Sequence, residues 1–504
     1  MPISATPGGF LLVLAIVMPV MGVLLSLALG GRHSERIALM LMPVGLAVAV
    51  AIAVGVWGSG NVLKYLLGGW GPPLGVVLRA DGLSAAMLLT TALVICATGL
   101  FARAVFRAPV EGPETRAPLV FWTLLLAVWG ALNAICLGAD LFNLYVALEL
   151  LTFGAVPLVC LDGSAGTLAA ALRYLLFALL GSVLYLLGTA LLYGAYGTLD
   201  IALLSGRVRA EPVVWAAAAL MTAGLMAKTA LFPLHLWLPP AHAGAPSAAS
   251  AVLSALVVKG SFFLLLRLWF DVMPGLPNQV VAQILGTLGA AAILFGSVVA
   301  LRQARLKLLI AYSTVAQIGY LFLIFPLASS PVTALSWSAV AWTGGVLQLV
   351  SHAIAKAAMF MAAGLAAEAL GHDRIAGLGG IGRALPKTVF AFGLGGMSLM
   401  GLPPSGGFLA KGLLLTAAVA EGQWWWAVVI LVGGLLAGGY VFRVLIPALG
   451  GASEPLTLRA PASRQREAVV LALALCAVLL GFVPLRSSEL LQIGRPAASA
   501  VILR

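Results

Sequence analysis

Hydrophobic runs of about twenty residues recur from one end of the chain to the other, separated by short polar segments. Runs of this length with few charges are typical of helices that cross a bilayer, since about 20 residues of α-helix span its hydrocarbon core. The pattern predicts an all-α, polytopic membrane protein of about fourteen helices. The first seven are expected at 10–30, 36–57, 84–104, 118–138, 141–161, 168–193 and 212–231, and the second seven at 248–270, 279–301, 306–326, 333–370, 387–421, 424–448 and 465–485. No long polar block interrupts them, so residues 1–504 are expected to form a single transmembrane domain.

Two of the predicted helices, the seventh and the twelfth, carry prolines that interrupt them. The seventh runs into Phe232-Pro233 and an amphipathic stretch over 235–246, and the twelfth contains Pro403-Pro404 within a glycine-rich segment. Proline removes a backbone donor and clashes with the preceding turn. In hydrocarbon such a break is tolerated only where it lines a cavity or packs against protein. Broken helices in corresponding positions of two halves point to a transport path.

Composition excludes the soluble classes. The chain is 62% hydrophobic and only 9% charged, whereas a soluble protein carries about a quarter charged residues. The net charge of +12 is dispersed rather than clustered, so nucleic-acid binding is not expected. No disulfide, metal or cofactor site is indicated either, because the four cysteines form no CxxC or Cys/His set; they are Cys96, Cys136, Cys160 and Cys476.

The distribution of Lys and Arg predicts an orientation. With the N-terminus outside, the inner loops and helix ends carry more than twice as many of these residues as the outer ones. This bias favours an even number of helices with both termini outside. A bacterial-type inner membrane is the expected location. The first run lacks a basic leader and a cleavage site, so we interpret it as a retained helix.

Five basic residues remain inside apolar segments. Arg267 lies near a helix end and is expected to snorkel to the membrane surface. The other four, Lys228, Lys259, Lys356 and Lys411, lie deeper, where each costs roughly 2.5–3.5 kcal/mol. Glu149, near the middle of the fifth helix, is their natural partner. Intramembrane ionisable residues are typical of function, although a Glu–Lys pair that only fixes helix packing is the alternative.

Polar stripes accompany these charges. On the eleventh helix, polar residues recur at i, i+4 and i+8, and on the tenth at i, i+4 and i+7; the two sets are Gln348, His352 and Lys356, and Ser313, Gln317 and Tyr320. The tenth-helix set could make helix–helix hydrogen bonds only. Burial makes a lysine easier to deprotonate and a nearby carboxylate reverses this, so moving the carboxylate can switch a proton on or off. These residues are therefore candidates for a proton pathway. His235 and His242, beside the first proline break, are weak evidence for a metal, and we expect pathway or structural roles for them.

Several segments together resemble the proton-translocating antiporter-like family. This family includes the L, M and N type subunits of respiratory complex I, the A and D subunits of Mrp cation/proton antiporters, and counterparts in membrane-bound hydrogenases. The similarity extends over roughly residues 70 to 450. The segments that carry it are 139–149, 228–247, 257–260, 308–320, 351–357 and 401–411.

The resemblance implies two inverted five-helix repeats, at 118–270 (helices 4–8) and 279–448 (helices 9–13). Each repeat would offer a half-channel, and a central polar axis would join the two. Glu149 and Lys228 would be the regulating ion pair and Lys259 the central relay. His352 and Lys356 would continue the relay, and Lys411 would be the terminal exchange site.

The resemblance favours a proton-translocating subunit of a multi-subunit complex, of the Mrp-type Na⁺/H⁺ antiporter D-like kind. Lys411 stands where complex I M-type subunits generally have Glu, and the long lateral helix of L-type subunits is missing. The expected partners are other membrane subunits, the lipid bilayer, protons and, for antiport, Na⁺. A proton-pumping subunit of a membrane hydrogenase or an NADH/quinone oxidoreductase is the alternative. Whether the chain serves a redox enzyme stays open at this point, because it carries no redox motif of its own.

Two functions of other classes also stay open. A stand-alone carrier for a small solute would use broken helices equally well. An inert scaffold would keep the charges only to specify packing. Solute flux through the chain alone would favour the carrier, and indifference to loss of Lys228 or Lys259 would favour the scaffold.

Overall fold

The computed structural model describes residues 5–107, 116–274, 276, 279–329, 335–451, 458–460, 463–483 and 489–495. Thirteen helices in these ranges are long and apolar enough to cross a membrane. One further crossing, α12, consists of two half-helices, α12a and α12b. The bounds are α1 Phe10–Leu29, α2 Gly31–Ser59, α3 Gly82–Ala102, α4 Arg116–Leu137, α5 Leu141–Val159, α6 Ala165–Tyr196, α7 Pro212–Thr229, α8 Ser247–Val272, α9 Gln279–Arg302, α10 Leu306–Ala328, α11 Leu335–Leu370, α12a Pro386–Met400, α12b Gly406–Ala420, α13 Trp424–Leu449 and α14 Arg464–Phe482.

Each predicted helix has a counterpart in this set, and the all-α membrane fold is confirmed. Both predicted breaks are present. After α7 the chain turns at Ala230, which adopts a left-handed conformation (φ 59°), and then forms a short helix, Leu238–Gly244. Between α12a and α12b the break begins at Gly401 (φ 81°), which can adopt a left-handed conformation without the strain a Cβ would add.

One end of the molecule carries a β-hairpin between α2 and α3. Its strands, β1 Leu63–Leu66 and β2 Val77–Ala80, pair antiparallel with Leu63 opposite Ala80. We call this end the hairpin side. The segment 489–495 packs here too, because the Gly82 amide donates to the Ile493 carbonyl and the Trp342 indole donates to the Leu491 carbonyl.

Three helices, α8, α10 and α11, form the centre of the bundle. Every residue of α8 except Phe270 is buried. The outer helices α1, α2, α6, α9 and α13 expose large apolar side chains, as expected for surfaces that face lipid. The polar groups of the central helices are therefore enclosed by protein.

α8 is irregular although it contains no proline. Two π-helical segments, Leu253–Val257 and Arg267–Val272, lie on either side of a regular stretch, Val258–Leu266. Such segments occur frequently at functional sites. Lys259 is the second residue of the regular stretch.

The two broken helices occupy equivalent places in the predicted repeats. α7 is the fourth of the helices in 118–270, and α12 is the fourth of those in 279–448. This agreement in order fits the predicted repeats, and their inverted relation stays a prediction.

Candidate proton pathway in the membrane

Glu149 and Lys228 form an ion pair between α5 and α7. Lys228 Nζ lies 3.2 Å from Glu149 Oε1 and donates to Thr152 Oγ1 at 2.9 Å. The Ser182 hydroxyl of α6 donates to the same Glu149 oxygen. The Lys228 side chain is only 6% exposed and that of Glu149 is 16% exposed. The predicted pair is therefore present, and neutral donors and acceptors surround it.

The break in α7 places Lys228 one residue before the helix ends. The Trp237 indole folds back and donates to the Ala227 carbonyl at 2.9 Å, and the Ala230 amide donates to the same carbonyl at 3.2 Å. The next residue, Thr229, donates through its hydroxyl to Ser261 Oγ of α8 at 2.9 Å. This contact connects the ion pair to the central helix.

Lys259 is completely buried in the centre of α8. Its ammonium donates to the backbone carbonyl of Ser254, in the π-helical segment five residues earlier. The Ser254 hydroxyl in turn lies 2.8 Å from Thr314 Oγ1 of α10. No carboxylate pairs with Lys259 among the described residues, and the described contact of its Nζ is with the neutral Ser254 carbonyl oxygen.

Lys356 and His352 lie one turn apart on α11 and are both buried. Lys356 donates to the Ile310 carbonyl at 3.0 Å and to the Ser313 hydroxyl of α10. Neither ring nitrogen of His352 has a hydrogen-bond partner within the described ranges. Buried polar groups rarely stay unpaired, so these nitrogens mark positions where an internal water is expected.

Lys411 lies in α12b, close to the break that separates it from α12a. Its Nζ is 2.5 Å from the Leu399 carbonyl oxygen and 4.1 Å from the centre of the Tyr320 ring. Leu399 is near the end of α12a, where carbonyls lack an intrahelical donor. The break therefore supplies a free carbonyl and a cation–π contact to an ammonium that has no acidic partner within the described part of the chain.

A pair of glutamines connects α11 to the Lys411 region. Gln348 donates to Gln317 at 3.0 Å, and Gln317 donates to the same Leu399 carbonyl at 3.1 Å. The predicted stripes of α10 and α11 thus face each other across the helix interface. The three tenth-helix residues contact Lys356, Gln348 and Lys411, respectively.

These contacts, together with neighbouring positions along each helix, place the polar groups in one buried series from α5 to α12, which we call the buried line. It passes from Glu149 to Lys228 and Lys259, and then by Thr314 and Ser313 to Lys356, His352, Gln348, Gln317 and Lys411. His352 lies on α11 between Gln348 and Lys356, one helical turn from each. All six residues predicted for the pathway lie on this line.

The two histidines beside the first break differ from each other. His242 is fully buried and stacks at 4.6 Å on Phe360, which follows Lys356 by four residues on α11. His235 packs instead against the rings of Phe232 and Phe295, and none of its described contacts is with a lysine of the line. The structure therefore brings His242 to the line and leaves His235 apart from it.

The expectation that Arg267 snorkels is wrong. Its side chain is 7% exposed and binds two carboxylates, Asp81 at 2.5 and 2.8 Å and Asp271 at 2.6 Å. Asp81 and Ser84, at the start of α3, bind the guanidinium at this end of α8, so protein encloses it. Asp271 stands four residues after Arg267, an i, i+4 spacing from which the pair could have been recognised.

Several other contributors gave no signal in the sequence. Hydroxyl groups inside apolar helices are common, and nothing local distinguishes those that reach a charge. The ones that take part are Thr152, Ser182, Thr229, Ser254, Ser261 and Thr314. Among the described residues, no group of three His, Cys, Asp or Glu side chains is arranged to hold a metal ion.

The family comparison matches the region that contains the line. Residues 138–437 match the family model described as "NADH:quinone oxidoreductase/Mrp antiporter, TM". The chain belongs to this family. The matched region is well over half of the chain and includes every residue from Glu149 to Lys411, so the resemblance inferred from the sequence is confirmed.

Relatives within the family include subunits named for a redox complex and subunits named for a cation/proton antiporter. The N-type subunit of the NADH-quinone oxidoreductase of Desulforudis audaxviator is 35% identical over 79% of this chain and 77% of its own length. The D-type subunit of the Na⁺/H⁺ antiporter of Alkalihalophilus pseudofirmus is 28% identical over 88% of this chain and 87% of its own length. A chain of the Mrp complex from Dietzia superimposes with a TM-score of 0.86, at 26% identity and with 96% of each chain covered. This chain is accordingly an antiporter-like, multi-pass membrane subunit of the type found in multi-subunit complexes.

Proposed function

We propose that the chain conducts protons along the buried line, as one subunit of a Mrp-type Na⁺/H⁺ antiporter in a bacterial-type inner membrane. The observation that supports this best is the line itself. Four buried ammonium groups, only one of them paired with a carboxylate within the described ranges, follow one another between α5 and α12. Such an arrangement costs stability, and proton transfer gives a reason for keeping it.

The geometry suggests how the line would work. Lys228 holds its proton most firmly while Glu149 and Thr152 are in contact with it. Separation of Glu149 from Lys228 would free that proton to move through the Thr229–Ser261 contact towards Lys259. The unpaired nitrogens of His352 would pass it on through water to Lys356 and Lys411.

The decisive experiment is Lys259→Ala in the intact complex. We expect driven proton flux in proteoliposomes to be lost, because a methyl group replaces the ammonium through which α8 takes part in the line. Lys387→Ala, which removes an exposed lysine at the start of α12a, is the matched control and should retain full flux. Subunit content and thermal stability are measured for both variants. Normal flux in an assembled Lys259→Ala complex would instead support the inert scaffold.

A second candidate has a specific observation in its favour. The relative with 35% identity is an N-type subunit of an NADH-quinone oxidoreductase, so a place in a redox-driven complex is the alternative. The length covered in the D-type antiporter relative and the superposition on the Mrp complex favour antiport.

Purification of the complex through a tag on this chain separates the two candidates. Small membrane subunits and Na⁺-dependent collapse of a pH gradient in everted vesicles would support antiport. Iron–sulfur or hydrogenase-like subunits would support the redox assignment. Solute-dependent flux by the isolated chain in liposomes would overturn both in favour of a stand-alone carrier.

A further inference from the structure

Four charged side chains are packed together at the hairpin-side end of α8. Arg267 is at the centre and holds Asp81 through both of its terminal nitrogens and Asp271 through one. Arg79 of β2 binds Asp81 at 3.1 Å from the other side. We call these four residues the Arg267 cluster. With two cations and two anions it is neutral, and each of its carboxylates contacts an arginine.

Further contacts hold the Arg267 cluster in place. Arg267 also donates to the Ser84 hydroxyl at 2.9 Å, and Asp81 caps α3 by accepting from the Ser84 amide at 3.0 Å. Arg79 donates to the Gly494 carbonyl at 2.8 Å. The cluster thus joins the hairpin, α3, α8 and the segment 489–495.

The cluster lies between the buried line and a surface cavity. Arg267 follows Lys259 by eight residues on α8, a distance of about 12 Å along the axis. On its other side is a cavity of about 900 Å³ bordered by exposed residues such as Ser59 and Asn61. Arg79 lines this cavity and belongs to the cluster, so the cluster extends from the cavity wall to α8.

The cavity wall is positively charged. Lys64, Arg79 and Arg495 line it, and no Asp or Glu is among the described residues that do. A positive wall repels hydronium, as fixed arginines do in pores that exclude protons. Arginine also differs from lysine in a way that matters here, since a guanidinium does not release its proton in proteins and so cannot relay one.

We propose that the Arg267 cluster is a proton barrier, which separates Lys259 from the water of the hairpin-side cavity. The proposal rests on the proposed function, because a barrier is needed only if Lys259 carries protons. Its physical basis is the Arg267 guanidinium, a charge that two carboxylates hold in place at the buried end of α8 and that cannot release its proton. Loss of that charge would let water and protons reach Lys259 from the cavity.

The test is passive proton leak through the intact complex in proteoliposomes. A potassium diffusion potential drives protons while the reaction that drives transport is absent, and an internal pH dye reports their entry. Arg267→Gln should raise the leak on the order of tenfold over wild type. The double variant Lys259→Ala/Arg267→Gln should return it to the wild-type level, because the leaking protons pass over Lys259.

The control and the second variant separate a barrier from loosened packing. Arg466→Gln is the control, because it removes an arginine of similar burial. Arg466 pairs with Glu368 and lies 4.2 Å from the centre of the Phe101 ring. The proton leak of this variant should equal that of the wild type. If Arg267→Gln fails to assemble because Asp81 and Asp271 lose a partner, Asp81→Asn/Arg267→Gln removes opposite charges together. Asparagine still caps α3 in that variant, and the same increase in leak is expected.

Three results would overturn the barrier: no added leak in an assembled Arg267 variant, a leak that persists without Lys259, or an equal leak in Arg466→Gln. The proposed function fails by a different measurement, namely driven flux that survives Lys259→Ala. The two proposals can therefore fail independently.

Discussion

The carboxylate of Glu149 is shared by donors on two neighbouring helices, the Ser182 hydroxyl and the Lys228 ammonium. Ser182→Ala removes the first donor and leaves the ion pair. Loss of a hydrogen bond to a buried charged group costs about 1–3 kcal/mol. The ionised form of the Glu149 carboxylate is therefore less stable in this variant. We expect driven proton flux to fall by roughly fivefold to a hundredfold. Initial rates in proteoliposomes measure this.

A threonine further along the same helix provides the control for this variant. Thr189→Val removes a buried hydroxyl whose described hydrogen bond stays within α6, to the Tyr185 carbonyl. Its flux should stay at the wild-type level. Equal losses in the two variants would mean that α6 as a whole has been disturbed and that Ser182 has no particular role.

Single residues also show how far the sequence could predict the site. Depth in an apolar run was enough to select the four lysines and Glu149, because a charge at bilayer depth is costly in any fold. It was not enough for Arg267, whose distance from a helix end suggested access to water. That access was removed by Asp81 and Ser84, which are distant in sequence and bind the guanidinium from the start of α3. Tertiary covering of a helix end leaves no local pattern.

At the scale of elements, the break in α12 depends on glycine as much as on proline. A Cβ at Gly407 would overlap the Ser398 carbonyl oxygen of α12a. Gly407→Ala should therefore push α12b away from α12a and lower stability by about 1–3 kcal/mol, as overpacking does. The displacement would also separate Lys411 from the Leu399 carbonyl, so flux should fall with stability. Thermal unfolding in detergent and flux assays test both effects.

Gly412→Ala is the matched control for this change. It lies on α12b directly after Lys411, and no atom of the described residues is within 4 Å of the position its Cβ would take. It should leave stability and flux unchanged. Loss of function in both variants would indicate that α12b tolerates no added side chain, whatever its distance from the break.

The elements were predictable to different degrees for a physical reason. Helices and proline breaks follow from hydrophobic length and a missing backbone donor, and both are properties of the local sequence. The π-helical segments of α8 contain no proline, and the sequence around Leu253–Val257 reads as an ordinary apolar helix. Protein surrounds α8 along almost its whole length, and the sequence of one helix does not show such contacts.

At the scale of the whole molecule, the buried line runs through both predicted repeats and so offers protons a single path. Lys228 belongs to the first repeat and Lys411 to the second, and the contacts between them pass through α8, α10 and α11. Groups that act in series are recognised by how their variants combine, because loss of any one group stops the whole proton flux. Lys228→Ala and Lys411→Ala should each abolish driven flux, and the double variant should show no further loss. Parallel half-channels would behave otherwise, since each single variant would keep about half of the flux and only the double variant would lose it. Initial rates of the three variants in assembled complexes, with Lys387→Ala as the surface control, therefore decide whether protons follow one line from α5 to α12 or two separate routes.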